Sequence, residues 1–215
     1  MNKQVCIAAL AVCAAAGSSL GTQIPMSAYN APGPLPGLSL WVDVQEVSPS
    51  AVAFTFGNSS TNGAVSTRIY FEKPNDGSTL FDGAGGVAAQ SAGVSFTNGG
   101  GGPPNPPGGN DVGWNGTDRS FFRISKGGGV NNGINAGESL TIELGLAQGV
   151  SYADILADLD SGNFRIAQHV QSIDPNGISV GVITENGGDS AVIPLPTGAG
   201  LAGLGLGLIA VRRRR

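Results

Sequence analysis

The chain has 215 residues, 36 of them glycine and 13 proline, with 12% charged residues and a formal net charge of −4. That length suits one domain with a sizeable core, and the composition suits short strands joined by tight turns better than helices. The acidic balance excludes the basic footprint that binding nucleic acid through phosphates requires.

Lys3 is the only charge in the first 42 residues, residues 5–16 are apolar, and Ser19-Leu20-Gly21 puts small residues at the first and third positions of a cleavage site. This pattern predicts a secretory signal peptide over residues 1–21, handled by the Sec translocon and cut after Gly21 or a few residues earlier. Leu10-Ala11-Val12-Cys13 resembles a lipoprotein box, but Val12 stands where a small residue is wanted. Both cysteines, Cys6 and Cys13, lie in the signal, so the exported part has no disulfide, thiol chemistry or cysteine-zinc site. Without Lys3 and the four terminal arginines, 6 basic residues face 15 acidic ones, a net charge of about −9.

Residues 22–37, rich in proline and glycine, read as an extended spacer, and residues 38–190 as the ectodomain. Period-two alternation predicts its strands. Leu38, Leu40, Val42 and Val44 share a face, with Trp41 and Asp43 opposite. Val52, Phe54 and Phe56 follow, and then Val65, Thr67, Ile69 and Phe71 alternate with Ser66, Arg68, Tyr70 and Glu72. Further strands centre on Phe122 and Ile124, on Leu140, Ile142, Leu144 and Leu146, on Phe164, Ile166 and Val170, and on Ile178, Val180 and Val182. One helix interrupts them, with Ser151 as cap, Asp154 three residues on, an apolar face of Tyr152, Ile155, Leu156 and Leu159, and Gly162 as terminator. At least seven strands and one short helix predict an all-β, jelly-roll-like antiparallel β-sandwich.

The Gly/Pro run 98–110 cannot hold a strand ladder and reads as a long surface loop, either a binding lip or a solvated insertion. Beyond it, Asn110, Asp111, Asn115, Thr117 and Asp118 offer oxygen ligands, with Asp111 and Asp118 the calcium candidates, although Asn and Asp favour turns on their own account. Asp158, Asp160 and Asn163 resemble a calcium loop, but Gly162 is fifth where the loop needs glycine sixth. His169, the only histidine, has no second histidine and no nucleophile elbow beside it, and its neighbours predict an exposed structural role rather than a triad. No spacing singles out a glycosidase carboxylate pair. No catalytic residue, cofactor or resident metal is therefore expected, and the chain does not read as an enzyme.

Residues 191–211 carry no charge, and Arg212, Arg213, Arg214 and Arg215 end the chain. Residues 197–211 make a marginal membrane span against the ~20 residues a bilayer needs. The arginines would stay cytoplasmic, leaving the ectodomain outside, whereas a core helix would need a polar face that this segment lacks before the arginines. Gly198, Gly200 and Gly203 match a dinucleotide fingerprint, yet no strand precedes them and only 12 residues follow. The predicted organisation is thus signal 1–21, spacer 22–37, ectodomain 38–190 and sorting tail 191–215.

Ile193-Pro194-Leu195-Pro196-Thr197, a Gly/Leu-rich helix and the terminal arginines together resemble the PEP-CTERM class of sorting signals, in its Val-Pro-Leu-Pro variant. That resemblance implies recognition by an exosortase-type membrane transpeptidase in a Gram-negative bacterium. It also implies cleavage near Pro194, Leu195, Pro196 and Thr197, passage through the inner membrane, and delivery to the surface or an extracellular polysaccharide matrix. Ile193 and Thr197 depart from the usual valine and alanine. More loosely, Asn135-Ala136-Gly137-Glu138-Ser139-Leu140 and the stretches 152–156 and 169–173 are similar to ectodomains that carry such tails. Leu195-Pro196-Thr197-Gly198 resembles a Gram-positive sortase motif with its variable residue missing. Two functions follow as expectations: a structural or adhesive matrix protein, or a carbohydrate-binding module using Trp41, Tyr70 and Trp114 as exposed stacking surfaces.

Overall fold

A computed structural model describes residues 21–98, 105–114 and 120–185, and the backbone of residues 193–194. The strands are β1 (Thr22–Ala28), β2 (Leu40–Ser48), β3 (Ala51–Asn58), β4 (Val65–Glu72), β5 (Phe81–Gln90), β6 (Phe96–Asn98), β7 (Ser120–Lys126), β8 (Ser139–Leu146), β9 (Ile166–Ile173), β10 (Ile178–Thr184) and the two-residue β11 (Ile193–Pro194). The helix α1 spans Tyr152–Ser161 between β8 and β9. The fold is all-β, and every described pairing is antiparallel.

The strands do not fall into two separate sheets. They form one continuous ladder in the order β5-β8-β3-β2-β1-β10-β9-β4-β7-β6, with β11 on β1. β1 makes the turn between the halves: Thr22–Met26 pair with β2, and Met26–Ala28 pair with β10. Strands that change partner in this way form the corners of packed sheets. At the far edges β5 and β6 meet, joined by amide side chains: Phe96 N–H donates to Gln90 Oε1 (3.0 Å) and Asn98 Nδ2 to Gly85 O (3.1 Å). The sheet is thereby nearly closed on itself.

Alternation explains most of the core. β8 buries Leu140, Ile142, Leu144 and Leu146 and leaves the residues between them half-exposed, while Val52, Phe54 and Phe56 from β3 face the same interior. Aromatic rings fill the centre: Phe54 meets Phe71 edge-on at 5.2 Å, and Phe81 stacks on Phe121 at 5.0 Å. Such ring pairs add to what burial alone contributes. α1 closes one end with Ile155 and Leu159, and its Ser151–Asp154 capping box and left-handed Gly162 follow the sequence prediction.

Some features depart from the alternation. A bulge between Ser66 and Arg68 resets β4, so Ser66 is buried and donates to Gln168 Oε1 at 2.5 Å instead of facing outward. β5, β6 and β1 were not predicted. β5 reads Phe-Asp-Gly-Ala-Gly-Gly-Val-Ala-Ala-Gln, which has no apolar period, yet β8 templates it. A Cβ on Gly85 would stand 2.4 Å from Glu143 O, so glycine permits that approach. The segment read as a spacer contains β1, and its remainder is tied down. Ala31 and Leu35 pack on the core, Asn62 Nδ2 donates to Pro36 O, and Thr61 N–H donates to Gly37 O.

Candidate functional site

Two regions concentrate polar chemistry. The first is a cleft of about 380 Å³ lined by Lys73, Pro74, Asn75, Ser78, Thr79 and the stacked Phe81–Phe121 pair. Its wall is the β4–β5 connection, which the end of α1 holds in place. Asn75 N–H donates to Asn163 O (2.9 Å), Asn75 Nδ2 to Gly162 O (3.0 Å), and Asp76 N–H to Asn163 Oδ1 (3.0 Å). Asp76 folds back to accept from Ser78 N–H at 2.8 Å, and its bonds with Ser78 hold the carboxyl below the usual carboxylate range. The result is a short polar rim beside a half-buried phenyl ring.

The second region is the outer face of β10, β9 and β4, where the end of the Gly/Pro loop docks. Arg165 is its hub: Nε and Nη2 donate to the fully buried Glu72 carboxylate at 2.5 and 2.8 Å, and Nη1 donates to Val112 O at 2.7 Å. Its guanidinium also lies 5.8 Å above the Trp114 ring, a cation–π geometry. Nearby, Tyr29 Oη donates to Pro107 O at 2.7 Å, and Asn30 Oδ1 accepts from Gly181 N–H at 2.6 Å. Burial pushes the Tyr29 phenol well above its ordinary range, so it stays a donor. Residues 105–114 are therefore an anchored cover, while the rest of the run 98–110 lies outside the described residues apart from Asn98.

This packing corrects the expected stacking surface. Trp114 and Tyr70 are fully buried and form a small second core with Ala167. Trp114 Nε1 donates to Ser120 Oγ at 3.1 Å, and Tyr70 Oη accepts from Arg68 Nη1 at 3.2 Å. The cause is the docked loop, which shelters the face that alternation assigns to solvent. Trp41 alone keeps a partly open face, lying over Gly57 with Nε1 donating to Ser59 Oγ at 3.2 Å.

His169 does lie on the outer face, but it is half-buried. Its Nε2 is 2.6 Å from Ser179 Oγ and its Nδ1 is 3.5 Å from the Thr67 hydroxyl. Burial first and the Arg68 charge second lower its pKa to about 4, so the ring is neutral at pH 7. A hydroxyl, not a carboxylate, faces the nitrogen that an orienting acid would occupy in a triad.

Asp111 is exposed on the single turn Gly109–Val112, and Asp118 lies outside the described residues. Asp158 accepts from Asn163 Nδ2 at 3.0 Å, as a helix end does. Among the described residues no group of three or more His, Cys, Asp or Glu is placed to hold a metal ion. No protein-family model matches the chain, and no curated protein matches its sequence.

Of the sorting residues, only the backbone of Pro194 is described, opposite Thr22 on β1. Leu195, Pro196, Thr197, Arg212, Arg213, Arg214 and Arg215 lie outside the described residues. Among those that are described, no helix is long and apolar enough to cross a membrane. Sequence reading missed the Arg165–Glu72 pair because the two residues are 93 apart. The one available signal was an acid and a base among otherwise apolar stretches, Glu72 after Phe71 and Arg165 between Phe164 and Ile166, in a chain poor in charge.

Proposed function

We propose that this chain is an exported protein of the cell surface or extracellular matrix, sorted through an exosortase-type C-terminal signal, with a structural or adhesive ectodomain of jelly-roll-like shape. The observation that carries the reading is the pairing of a signal-peptide pattern at residues 1–21 with Ile193-Pro194-Leu195-Pro196, an uncharged run and four terminal arginines. The fold is compatible with that address. β1, before which the predicted signal would end, pairs with β11, where the motif begins, so the two predicted processing points adjoin one strand pair. Mass spectrometry of both termini of the protein from its native host tests the proposal. A C-terminus ending near Pro194 supports it, and an intact Arg215 in the mature protein overturns transpeptidase processing.

The second reading, a carbohydrate-binding module, is supported by the cleft at Lys73, Ser78, Thr79 and Phe121 together with the half-buried Trp41. Apolar walls with a few convergent polar groups are the usual make-up of a small-ligand site. A glycan array with Lys73→Ala, Thr79→Ala and Trp41→Ala variants tests it. Retention lost in these variants supports the module, and a wild-type protein that retains no glycan removes it.

A further inference from the structure

Asp43 stands on the outer side of β2 yet is only 8% exposed, and among the described residues its Oδ1 has no hydrogen-bond partner. An orphaned carboxylate oxygen in a buried position is costly and calls for an explanation. Burial pushes its pKa up, in the direction expected of an acid that lacks a compensating charge.

The group lying over this carboxylate is the backbone at the start of β1. A Cβ on Gly21 would stand 2.4 Å from Asp43 Oδ1 and 2.5 Å from Oδ2, and the next residues are registered on β2 with Thr22 opposite Val44 and Gln23 opposite Asp43. Tyr152 reaches the same corner, its hydroxyl donating at 2.8 Å to the carbonyl of Val44, the residue opposite Thr22. The charges of Asp43 and Glu46 both act on the Tyr152 hydroxyl, so this corner collects negative charge, and among the described residues no cation is supplied to Asp43. The signal-peptide pattern places cleavage after Gly21 or a few residues earlier, and the geometry at Asp43 bears on the first of these.

We infer that Asp43 is the receptor for the α-ammonium group created when the chain is cut between Gly21 and Thr22. Water supplies the balance as the Gly21–Thr22 amide bond breaks: its hydroxyl completes the Gly21 carboxyl, which loses its proton to solvent, and its other proton goes to the Thr22 nitrogen, which takes up one more from solvent near neutral pH. With Gly21 gone, the space over the carboxylate is open to the Thr22 ammonium, and the two pair as a charge-assisted hydrogen bond. Export processing would thus supply the missing partner, and the uncut chain would keep an orphaned acid at its sheet corner. The inference rests on the signal-peptide part of the proposed function.

The test uses the chain from Thr22 to Arg215 in detergent, released from a cleavable fusion so that Thr22 is the first residue. It is compared with the same chain carrying Leu20-Gly21 in front and with an N-acetylated form. The free-amine form is expected to melt several degrees higher than the other two, and Asp43→Asn to erase that difference. The Thr22 amine should also titrate above its ordinary value of about 8 in the wild type. Equal melting of the three forms, or a gap that survives Asp43→Asn, overturns the inference. Should Asp43→Asn not fold, the amine titration in the wild type decides, and an ordinary value overturns it. Sequencing of the native N-terminus bears separately on the export premise: a start other than Thr22 removes that premise while leaving the recombinant result interpretable.

Discussion

Arg165 grips Glu72 through two parallel hydrogen bonds, Nε to Oε2 at 2.5 Å and Nη2 to Oε1 at 2.8 Å, joining the residue just before β9 to the end of the adjacent strand β4. Glu72 is fully buried, so removing either residue takes the bidentate counter-charge from the other. Arg165→Met should cost about 3–5 kcal/mol in urea unfolding, whereas Glu72→Leu combined with Arg165→Met should cost much less than the sum of the single changes. Additive, sub-kilocalorie effects would show that the pair is incidental.

Gly181 has no room for a side chain, since its Cβ would sit 2.1 Å from Tyr29 Oη and 2.6 Å from Pro107 O. Gly181→Ala should expel Tyr29 and lift the loop end, at a cost of about 1–3 kcal/mol. Limited proteolysis should then cut within residues 98–114 faster than in the wild type, and an unchanged cleavage rate would contradict the anchoring role.

The two tryptophans should report different environments. Trp114 is fully buried and Trp41 is partly open, so acrylamide quenching of the native protein should be biphasic, and Trp41→Phe should remove the accessible phase. Trp114→Ala should cost about 3–5 kcal/mol. That loss makes it a poor probe of ligand binding and a good probe of the second core.

His169 carries a folded pKa of about 4 against an ordinary 6.5, because burial and the Arg68 charge disfavour the imidazolium. The unfolded chain therefore binds the proton more readily. Its contribution to stability is complete above pH 6.5 and is lost as the pH falls toward 4. Urea midpoints followed over that window should drop more steeply for the wild type than for His169→Gln, and parallel curves would exclude the coupling.

Ser151 caps α1 by accepting from Asp154 N–H while Asp154 returns a bond to the Ser151 N–H. Ser151→Ala should cost about 1 kcal/mol, measured by thermal unfolding. A neutral result would mean that packing of Ile155 and Leu159 alone sets the helix.

Where a side chain alternates on one strand, sequence was enough. β8 and β3 are buried as their period requires, and the α1 caps lie where Ser, Asp and Gly place them, because these signals are local. What was not legible is long-range. β5 forms because β8 offers it a ladder, and the bulge at Thr67 moves Ser66 inward. Tyr70 and Glu72 are hidden by a loop that carries Trp114 and whose docking depends on Arg165, Tyr29 and Gly181 from three distant segments. For the cleft, Phe121 carried no visible mark because its meaning comes from stacking on Phe81, 40 residues earlier in the chain.

The line where β5 meets β6 is fastened by the amides of Gln90 and Asn98, groups that water can replace at modest cost. It also runs between consecutive strands, linked by only the five residues 91–95. A roll that loosens there separates segments that a short tether keeps at high local concentration. The cylinder can therefore slacken and recover at its own seam without any distant strand having to find its partner again.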